Sequence, residues 1–494
     1  MKLTPDTPPE GTIRNWLEAR AGAGGVAVVF PETGEELTWE GLLDDARRVA
    51  CVLTAKGAKR GESVAIVSPN GPDALKAFFG VVYGGFRATM INLAAGRDAI
   101  SYALEHSEAQ FSYVHQNCKA LFDEANLTGV ETLSLEDDAE AQLFELSPDH
   151  HALLMYTSGT TGRPKGVVHT HASLLAGGWT TAIAHELSES DRGFCVLPIY
   201  HINGLCVTVM GSLVSGGSLS MVGKFSTSRF WQQAEDSKVT WFSVVPTIIS
   251  HLLHGNAEPS GDCKARMRFG RSASSALAVE TQSGFEGRFE VPIIETMGLT
   301  ETAAQILSNP LPPKVRRIGS PGLAYGCDVE VHDSNGRPVA TDSEGEIVVR
   351  GPNVMLEYLK NPEATQATFR NGWLRTGDLA KANAEGFIFV TGRLKELIIK
   401  GGENIAPREV DEALYAHPDV VEAAAFGRPC TSYGEKVEAA VRLREGSSVD
   451  ARILIELCIG KLGAFKAPET IHILDELPKG PSGKIQRLKL SSLV

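Results

Sequence analysis

The sequence repeats one local pattern, in which a short apolar strand is followed by a polar or glycine-containing loop and then by a helix. In "ESVAIVSPNGPDALKAFFGVVYGGFRATMIN" the apolar run Ser63 to Val67 precedes a helix whose apolar residues recur at helical spacing: Leu75, Phe78, Phe79, Val82 and Tyr83. "RGFCVLPIYHINGL", "VTWFSVVPTIISHLL" and "VPIIETMGLTE" have the same order of strand, loop and helix. Such alternation predicts parallel sheets covered by helices, with ligands bound beyond the carboxyl ends of the strands.

The pattern changes after Val329. "CDVEVHDSNGRPV", "GEIVVRGP" and "NGWLRTGDLAKANAEGFIFVTGR" contain short alternating strands with Asn-Gly and Glu-Gly turns, which predicts a small antiparallel β region. Beyond it, a strand, a helix, a strand pair and a further helix form a compact α+β module. We therefore predict an α/β fold with a large N-terminal domain, residues 1–392, and a small C-terminal domain, residues 396–494.

Composition restricts the partners and the compartment. The net charge of −13 provides no global basic field for nucleic acid or an anionic membrane. The eight cysteines are scattered without a CxxC pair, which favours reduced thiols over a disulfide framework or a zinc site. "MKLTPDTPPEGTIRNW" lacks the apolar core of a signal peptide, and no apolar run approaches the ~18 residues needed to cross a bilayer. These features predict a cytoplasmic enzyme with no nucleic-acid partner and no membrane span.

The stretch "YTSGTTGRPKG" follows an apolar strand and combines hydroxyl, glycine and cationic residues. Backbone N–H groups, hydroxyls and cations of such a loop can converge on phosphate oxygens. The loop differs from a P-loop, because the fifth residue after Gly159 is Pro164 and Lys165 is followed by Gly166. A solvated surface turn is the alternative. If the loop holds a nucleotide, the residues that contact it are Thr157, Ser158, Gly159, Thr160, Thr161 and Lys165.

Further motifs follow in a fixed order: "LPIYHINGL", "MGLTE", "GWLRTGD", "GRLKELIIKGGENIAPREVD" and "PKGPSGKIQR". Together with the loop they span residues 156 to 487, and the series resembles the adenylate-forming superfamily. That superfamily includes acyl-CoA synthetases, peptide-synthetase adenylation domains and firefly luciferase. The resemblance is greatest to carboxylate–CoA ligases of the oxalate–CoA ligase-like group. It implies an enzyme that uses ATP, Mg²⁺ and coenzyme A to convert a carboxylic acid into acyl-CoA, AMP and pyrophosphate through an acyl-adenylate.

Two motifs carry residues expected at the triphosphate and the ribose. A carboxylate just after a strand can hold Mg²⁺ against ATP phosphates, and the resemblance assigns this role to Glu301, with Thr300 near the α-phosphate. The resemblance also implies that Asp378 accepts hydrogen bonds from both ribose hydroxyls and that Arg393 contacts the ribose or phosphate. A solvated glutamate and a β-turn aspartate are the ordinary alternatives.

The resemblance places a segment of small residues beside the adenine: Ser272, Ala273 and Ser274. Met297 departs from the family pattern, since many members have an aromatic residue under the purine at that point. A thioether can still pack on a ring face, so the position remains compatible with a nucleotide.

The C-terminal motifs imply a mobile domain. Lys484 lies on a glycine-flanked loop, where a cation can stabilise the negative charge that accumulates on the α-phosphoryl oxygens during adenylation. A solvated surface lysine is the alternative. By resemblance, Lys395 is the hinge residue, within residues 393–395, about which the small domain swings between an adenylating and a thioester-forming pose. The pantetheine tunnel of the second pose would then be lined by Lys400, Gly401 and Gly402.

The acid is expected among "YHINGL", the segment after "MRFG", and "MGLTETAAQ". His201 lies where the family often has an aromatic or histidine gate, and we count it among the catalytic candidates. A second anionic group of the acid can be held by Arg271, His201, Asn203 and Ser275. Alternatively, Arg271 has a structural partner. Thr296 replaces an arginine expected in malonate ligases, which argues against malonate.

We therefore predict a small polar or dianionic acid of the oxalate or sulfo-acid type. Two alternatives remain open: a short- or medium-chain fatty acyl-CoA synthetase, and an adenylation enzyme that loads a separate carrier protein. A homodimer is also left open.

Overall fold

A computed structural model describes residues 3–157, 164–480 and 485–494. Its strands, numbered in chain order, are β1 Val26–Phe30, β2 Glu35–Thr38, β3 Ser63–Val67, β4 Arg87–Met90, β5 Phe111–Val114, β6 Glu131–Leu133, β7 His151–Thr157, β8 Lys165–Thr170, β9 Arg192–Cys195, β10 Ser218–Met221, β11 Trp241–Val244, β12 Phe269–Ser272, β13 Ile293–Leu299, β14 Ala304–Ser308, β15 Leu323–Ala324, β16 Asp328–His332, β17 Gly345–Arg350, β18 Glu357–Tyr358, β19 Phe369–Arg370, β20 Trp373–Ala382, β21 Ile388–Arg393, β22 Ile398–Lys400, β23 Glu403–Ile405, β24 Val420–Cys430, β25 Gly434–Leu443 and β26 Thr470–Ile473.

The helices are α1 Ile13–Ala23, α2 Trp39–Ala55, α3 Pro72–Gly84, α4 Arg97–Ser107, α5 Lys119–Ala125, α6 His171–Ala184, α7 Gly211–Ser215, α8 Phe230–Asp236, α9 Pro246–His254, α10 Gly261–Arg266, α11 Val279–Phe289, α12 Pro362–Thr368, α13 Pro407–Tyr415, α14 Ala451–Leu462 and α15 Arg487–Leu493. Short 3₁₀ turns cover Gln116–Cys118 and Thr300–Thr302, and a π-helix covers Asn203–Met210.

Two large sheets form the body of the molecule. One has nine strands in the order β15-β14-β13-β12-β11-β9-β10-β1-β2, and its central strands from β13 to β1 are parallel. The other has seven strands in the order β18-β8-β7-β4-β3-β5-β6, parallel from β7 to β6. Strands buried on both faces read as continuous apolar runs, which explains why β3 and β11 were recognisable in the sequence.

Two smaller sheets follow along the chain. β16, β17, β20, β19 and β21 form an antiparallel sheet. β23, β22, β25 and β24 form another antiparallel sheet, to which β26 adds in parallel, and α13 and α14 pack against its core. The predicted α/β fold with an antiparallel region and a small α+β C-terminal unit is therefore confirmed.

One local prediction is wrong. The segment "VPIIETMGLTE" is not a strand followed by a helix, because β13 reverses through the turn at Thr300–Thr302 into antiparallel β14. The Thr302 hydroxyl closes this turn by accepting from Leu299 N at 3.0 Å and donating to the Ala304 carbonyl at 2.9 Å. At Gly298 a Cβ atom would lie 1.5 Å from the Ala304 carbonyl oxygen, so glycine permits the close approach of the two strands.

The C-terminal unit contacts α9 and the small antiparallel sheet of the N-terminal body. The Ser250 hydroxyl donates to the Val421 carbonyl at 2.9 Å, and His251 Nε2 lies 3.3 Å from Glu422 Oε1. Arg408 donates to the carbonyls of Val390 and Gly319 at 2.7 and 3.2 Å. Across the described ranges, every helix is too short or too polar to traverse a membrane.

Candidate active site

Glu301 lies in the 3₁₀ turn after β13, at the carboxyl end of that strand. Its Oε1 accepts a hydrogen bond of 2.7 Å from the Tyr358 hydroxyl, and its carbonyl accepts one of 2.8 Å from Met355 N. Lys165, the first residue of β8, places its Nζ 4.5 Å from the centroid of the Tyr358 ring. The expected metal ligand and the expected phosphate-binding cation therefore share one aromatic neighbour.

Thr300 is held by a buried histidine. His169 Nε2 lies 2.7 Å from the Thr300 carbonyl oxygen, and Nδ1 lies 3.0 Å from the Ser173 hydroxyl. Burial lowers the pKa of His169 to about 4, so the ring is neutral at pH 7. A neutral imidazole donating through Nε2 fixes the backbone beside Glu301 without adding charge.

Asp378 and Arg393 come from neighbouring antiparallel strands, β20 and β21, and are directly paired in the register. Arg393 Nε lies 2.6 Å from Asp378 Oδ1. Burial tends to lower the pKa of Arg393, but the Asp378 carboxylate outweighs it, and the net shift is upward. The structure thus brings together the two residues that the motifs associate with the ribose, with Gly377 in a left-handed conformation (φ 76°) just before Asp378.

Residues 272–274, the segment expected beside the adenine, begin at the last residue of β12. Ser272 and Ala273 are buried, while Ser274 has a φ of 75°, an uncommon backbone conformation for a residue other than glycine. Asn203 Nδ2 donates to the Ser274 hydroxyl at 3.2 Å. Met297 on β13 is half-buried and packs against the core that contains Val167 and Ile306, so the structure gives its thioether a packing role besides any contact with a purine.

Arg271 on β12 is one of the residues expected to bind the acid, and it is 1% exposed. Its Nε donates to Gln305 Oε1 at 3.1 Å, and its Nη1 donates to Asn203 Oδ1 at 2.7 Å and to the Ser243 hydroxyl at 3.1 Å. All three acceptors are neutral. Burial lowers the pKa of the guanidinium to about 9, which leaves it largely protonated at pH 7.

His201 and Asn203 lie where the chain enters the π-helix Asn203–Met210. Gly204 permits this geometry, because a Cβ atom there would lie 2.3 Å from the Pro198 carbonyl oxygen. The His201 ring centroid is 4.9 Å from that of Tyr200. π-Helical turns frequently occur at functional sites, and this one directs Asn203 towards Arg271. Ser275 is half-buried, three residues after the end of β12.

The remaining candidates lie in the C-terminal unit or outside the described residues. Lys395 is exposed in the turn that joins β21 to β22. Lys400 is 5% exposed, with Nζ 3.1 Å from both the Phe465 carbonyl and Glu469 Oε1. Gly401 and Gly402 form the exposed turn between β22 and β23, with φ of 61° and 86°. Ser158, Gly159, Thr160, Thr161 and Lys484 lie outside the described residues, so their roles stay predictions.

Several residues that hold the site were not named from the sequence. Tyr358 and His169 support Glu301 and Thr300, and Ser243 and Gln305 support Arg271. Ser243 did carry a signal, since it is a polar residue within the apolar run "TWFSVV". Gln305 lies within "MGLTETAAQ", the segment expected at the acid. Its contact with Arg271 could not be predicted, because it depends on the order of β14, β13 and β12 in the sheet.

The donor set around Glu301 fits Mg²⁺. Mg²⁺ takes one or two carboxylates and completes its shell with water and substrate phosphates. Residues 3–157, 164–480 and 485–494 contain no group of three or more His, Cys, Asp or Glu side chains that could enclose a metal by themselves. A single carboxylate at the carboxyl end of a strand, with Lys165 on the other side of Tyr358, suits a metal that arrives with ATP.

The chain belongs to the AMP-binding enzyme family, whose model matches residues 17–359, while residues 409–484 match the AMP-binding enzyme C-terminal domain. It is an AMP-forming carboxylate–CoA ligase that uses ATP, Mg²⁺ and coenzyme A and acts through an acyl-adenylate.

Two curated relatives and one solved structure illustrate the similarity. The chain is 43% identical over 479 residues to the sulfoacetate–CoA ligase of Cupriavidus necator, with 94% of each chain covered. It is 35% identical over 474 residues to the oxalate–CoA ligase of Arabidopsis thaliana, with 91% of this chain and 92% of that protein covered. ATP-bound MatB from Rhodopseudomonas palustris superposes with a TM-score of 0.89 at 28% identity, covering 98% of this chain and 99% of that one.

Proposed function

We propose that this ligase activates a short carboxylic acid that carries a second anionic group, with a sulfonated acid such as sulfoacetate as the first choice. The observation that carries the proposal is the environment of Arg271. A guanidinium that is 1% exposed has no carboxylate within ion-pair distance in the described part of the chain. Buried charges are normally paired, so a buried guanidinium whose acceptors are all neutral suggests that the charged partner is the substrate.

One nitrogen of Arg271 has no described acceptor. Gln305, Asn203 and Ser243 occupy Nε and Nη1, whereas Nη2 donates to no described residue. The Nη2 nitrogen of a guanidinium can donate two N–H groups to a sulfonate or carboxylate. The three neutral acceptors hold the side chain in place without cancelling its charge. This favours a dianionic acid over a fatty acid, whose alkyl chain would leave the charge buried and unpaired.

The proposed reaction has two steps, and the candidate residues act mainly in the first. In the first step a carboxylate oxygen of the acid attacks the α-phosphorus of ATP and pyrophosphate leaves. Glu301 would hold Mg²⁺, which neutralises phosphate charge when bound, while Lys484 would stabilise the α-phosphoryl oxygens. Asp378 and Arg393 would orient the ribose. In the second step the CoA thiol attacks the acyl carbonyl and AMP leaves.

The same proposal assigns the remaining groups. We infer a hinge at residues 393–395, a pantetheine path beside Gly401 and Gly402, and an adenine contact at residues 272–274. Support comes from the matching motifs and from the exposed turns at Lys395 and Gly402. Because ATP and CoA are the co-substrates, we also place the activity in the cytoplasm.

The experiment is a comparison of kcat/KM across a panel of acids, measured as CoA-dependent release of pyrophosphate. We expect sulfoacetate or oxalate to exceed propionate, hexanoate and octanoate. In Arg271→Gln, kcat/KM for the best dianionic acid should fall by roughly 10²-fold, the scale for removing one partner of a buried charge pair. The value for propionate should change far less, because propionate has no second anion.

Arg268→Gln is the matched control. Arg268 precedes β12 and pairs with Asp191 at 2.6 Å, and it donates to none of the three acceptors that hold Arg271. It should leave the order of the acids unchanged. A preference of the unmodified enzyme for hexanoate or octanoate would contradict the proposal and favour a fatty acyl-CoA synthetase. Pyrophosphate release without any transfer to CoA would instead favour loading of a carrier protein.

A further inference from the structure

We propose that Tyr358 is a positioning residue for the adenylation step, which fixes the Glu301 carboxylate with its hydroxyl and the Lys165 ammonium with its ring. The inference rests on the proposed role of Glu301 as the metal ligand. It adds a residue that none of the sequence motifs assigned to the site.

Tyr358 makes one contact with its hydroxyl and another with its ring. The hydroxyl donates to Glu301 Oε1 at 2.7 Å, and the Lys165 Nζ lies 4.5 Å from the ring centroid, within the range of a cation–π contact. The side chain is 5% exposed, so neither contact competes freely with water.

The backbone around Tyr358 reinforces the same connection. Met355 N donates to the Glu301 carbonyl at 2.8 Å, whereas Leu359 N donates to the Gly166 carbonyl at 2.8 Å. Between them, β18 pairs with β8, with Tyr358 opposite Val167. The segment Met355–Leu359 therefore ties the turn that carries Glu301 to the strand that begins with Lys165, and Tyr358 makes the same link with its side chain.

The consequence concerns the orientation of the carboxylate. A free glutamate side chain must lose rotamer entropy when it binds a metal, whereas one held through Oε1 has already lost it. The hydrogen bond occupies Oε1, and Oε2 has no described hydrogen bond, so Oε2 is the oxygen that would hold the metal. Removing only the hydroxyl should therefore weaken metal-dependent nucleotide binding and leave metal-independent binding nearly unchanged.

The test measures binding instead of turnover. Affinity for α,β-methylene-ATP is measured by calorimetry with saturating Mn²⁺ and with EDTA, and the bound Mn²⁺ is followed by electron paramagnetic resonance. In Tyr358→Phe the affinity with Mn²⁺ should fall about 10-fold, the scale for losing one hydrogen bond to a charged group, while the affinity in EDTA should stay within 2-fold. The Mn²⁺ spectrum should broaden or shift if the carboxylate is less well ordered.

Tyr83→Phe is the matched control. The Tyr83 hydroxyl donates to Glu18 Oε1 at the same distance of 2.7 Å, and Arg14 lies 4.8 Å from the Tyr83 ring centroid. Tyr83 therefore joins α3 to α1 with the same two kinds of contact, and its hydroxyl also accepts from Arg47 Nε at 3.2 Å. Both variants lose one buried hydroxyl, so a general loss of stability would affect them alike. Only Tyr358→Phe should alter the Mn²⁺-dependent affinity.

Two further variants separate the possible failures. If Glu301→Gln leaves Mn²⁺-dependent affinity unchanged, the metal role of Glu301 is wrong and the inference falls with it. If Glu301→Gln weakens that affinity and Tyr358→Phe does not, only the positioning role is overturned. Lys165→Met should weaken binding both with Mn²⁺ and in EDTA, because it removes a phosphate cation and leaves the hydroxyl of Tyr358 in place. If Lys165→Met weakened the affinity only with Mn²⁺ and not in EDTA, the assignment of Lys165 to the phosphates and of Glu301 to the metal would be wrong.

Discussion

Arg271 and Glu301 are both held by neighbours that leave part of their hydrogen-bonding capacity unused. Arg271 keeps Nη2 without a described partner, and Glu301 is bonded through Oε1 alone to Tyr358. Side chains that are fixed in this way do not have to reorganise when charge arrives or develops beside them. Such preorganisation is the main source of electrostatic stabilisation in enzymes.

Lys484 provides the residue-scale prediction. If it stabilises the α-phosphoryl transition state, Lys484→Ala should slow adenylation by roughly 10²–10³-fold, the scale for losing one preorganised electrostatic donor. The second step should hardly change, because the loop is expected to lie away from the acyl carbonyl after the swing. The measurement supplies synthetic acyl-AMP and CoA to the variant and follows thioester formation alone.

Lys395→Pro is the complementary variant. Proline fixes φ near −65° at the expected pivot, so it should impair thioester formation and leave the adenylation pose accessible. Equal damage to both steps by Lys484→Ala would mean that the lysine supports the fold or the nucleotide, and would remove it from the catalytic mechanism.

The proximity of two site candidates followed from the family resemblance, while their role at the ribose stays a prediction. Asp378 and Arg393 were both associated with the ribose, and the structure places them 2.6 Å apart. The supporting residues were not predictable, because their partners are distant along the chain. Tyr358 lies 57 residues from Glu301, and Gln305 lies 34 residues from Arg271. Hydrogen bonds between such residues depend on which strands become neighbours.

At the scale of elements, β24 connects the C-terminal sheet to the N-terminal body through Glu422. This buried carboxylate lies 2.8 Å from Lys479 Nζ and 3.1 Å from Arg442 Nη2, besides its contact with His251 on α9. Burial tends to raise the pKa of Glu422, but hydrogen bonds from His251 and Lys479 and the nearby cationic charges outweigh it. The net effect lowers the pKa to about 2.

This shift predicts how stability depends on pH. A carboxyl group with a folded-state pKa below its unfolded value of about 4.3 stabilises the fold above that value. The contribution is lost as pH falls towards 2. Glu422→Gln should therefore lower the free energy of unfolding by roughly 1–3 kcal/mol at pH 7, and the difference from the unmodified protein should shrink below pH 4.5.

The measurement is chemical unfolding between pH 7 and pH 3. Glu456→Gln, on the exposed face of α14, is the control and should have little effect at any pH. A difference for Glu422→Gln that stays constant from pH 7 to pH 3 would show that the charge of Glu422 is not what stabilises this contact.

Elements differ in how far the sequence specifies them. The helix α3 and the strand β3 follow from local patterns, since apolar periodicity and flanking turn residues act within a few positions. The reversal from β13 into β14 was missed, because "MGLTETAAQ" contains no Asn-Gly or Asp-Gly turn. Its turn depends on the Thr302 hydroxyl and on a strand approach that only glycine allows at position 298.

At the scale of the whole molecule, the site lies where three sheets meet. One apolar core joins residues of β8, β14, β17 and β20, which belong to the seven-stranded, nine-stranded and small antiparallel sheets. That junction explains how Lys165, Glu301 and Asp378 come from separate sheets into one region. The sequence predicted each sheet type, and the relative placement of the sheets follows from long-range packing that local patterns do not encode.

The central claim is that the carboxylate attacks the α-phosphorus of ATP and that AMP later leaves with one of the acid's oxygens. Sulfoacetate labelled with ¹⁸O in its carboxylate tests this claim directly, with mass spectrometry of the nucleotide after one round of CoA ligation. We predict one ¹⁸O atom in each AMP formed, in equal amount to the acyl-CoA, with unlabelled pyrophosphate. Unlabelled AMP, or ADP accompanied by ¹⁸O-labelled phosphate, would contradict an acyl-adenylate route on this acid.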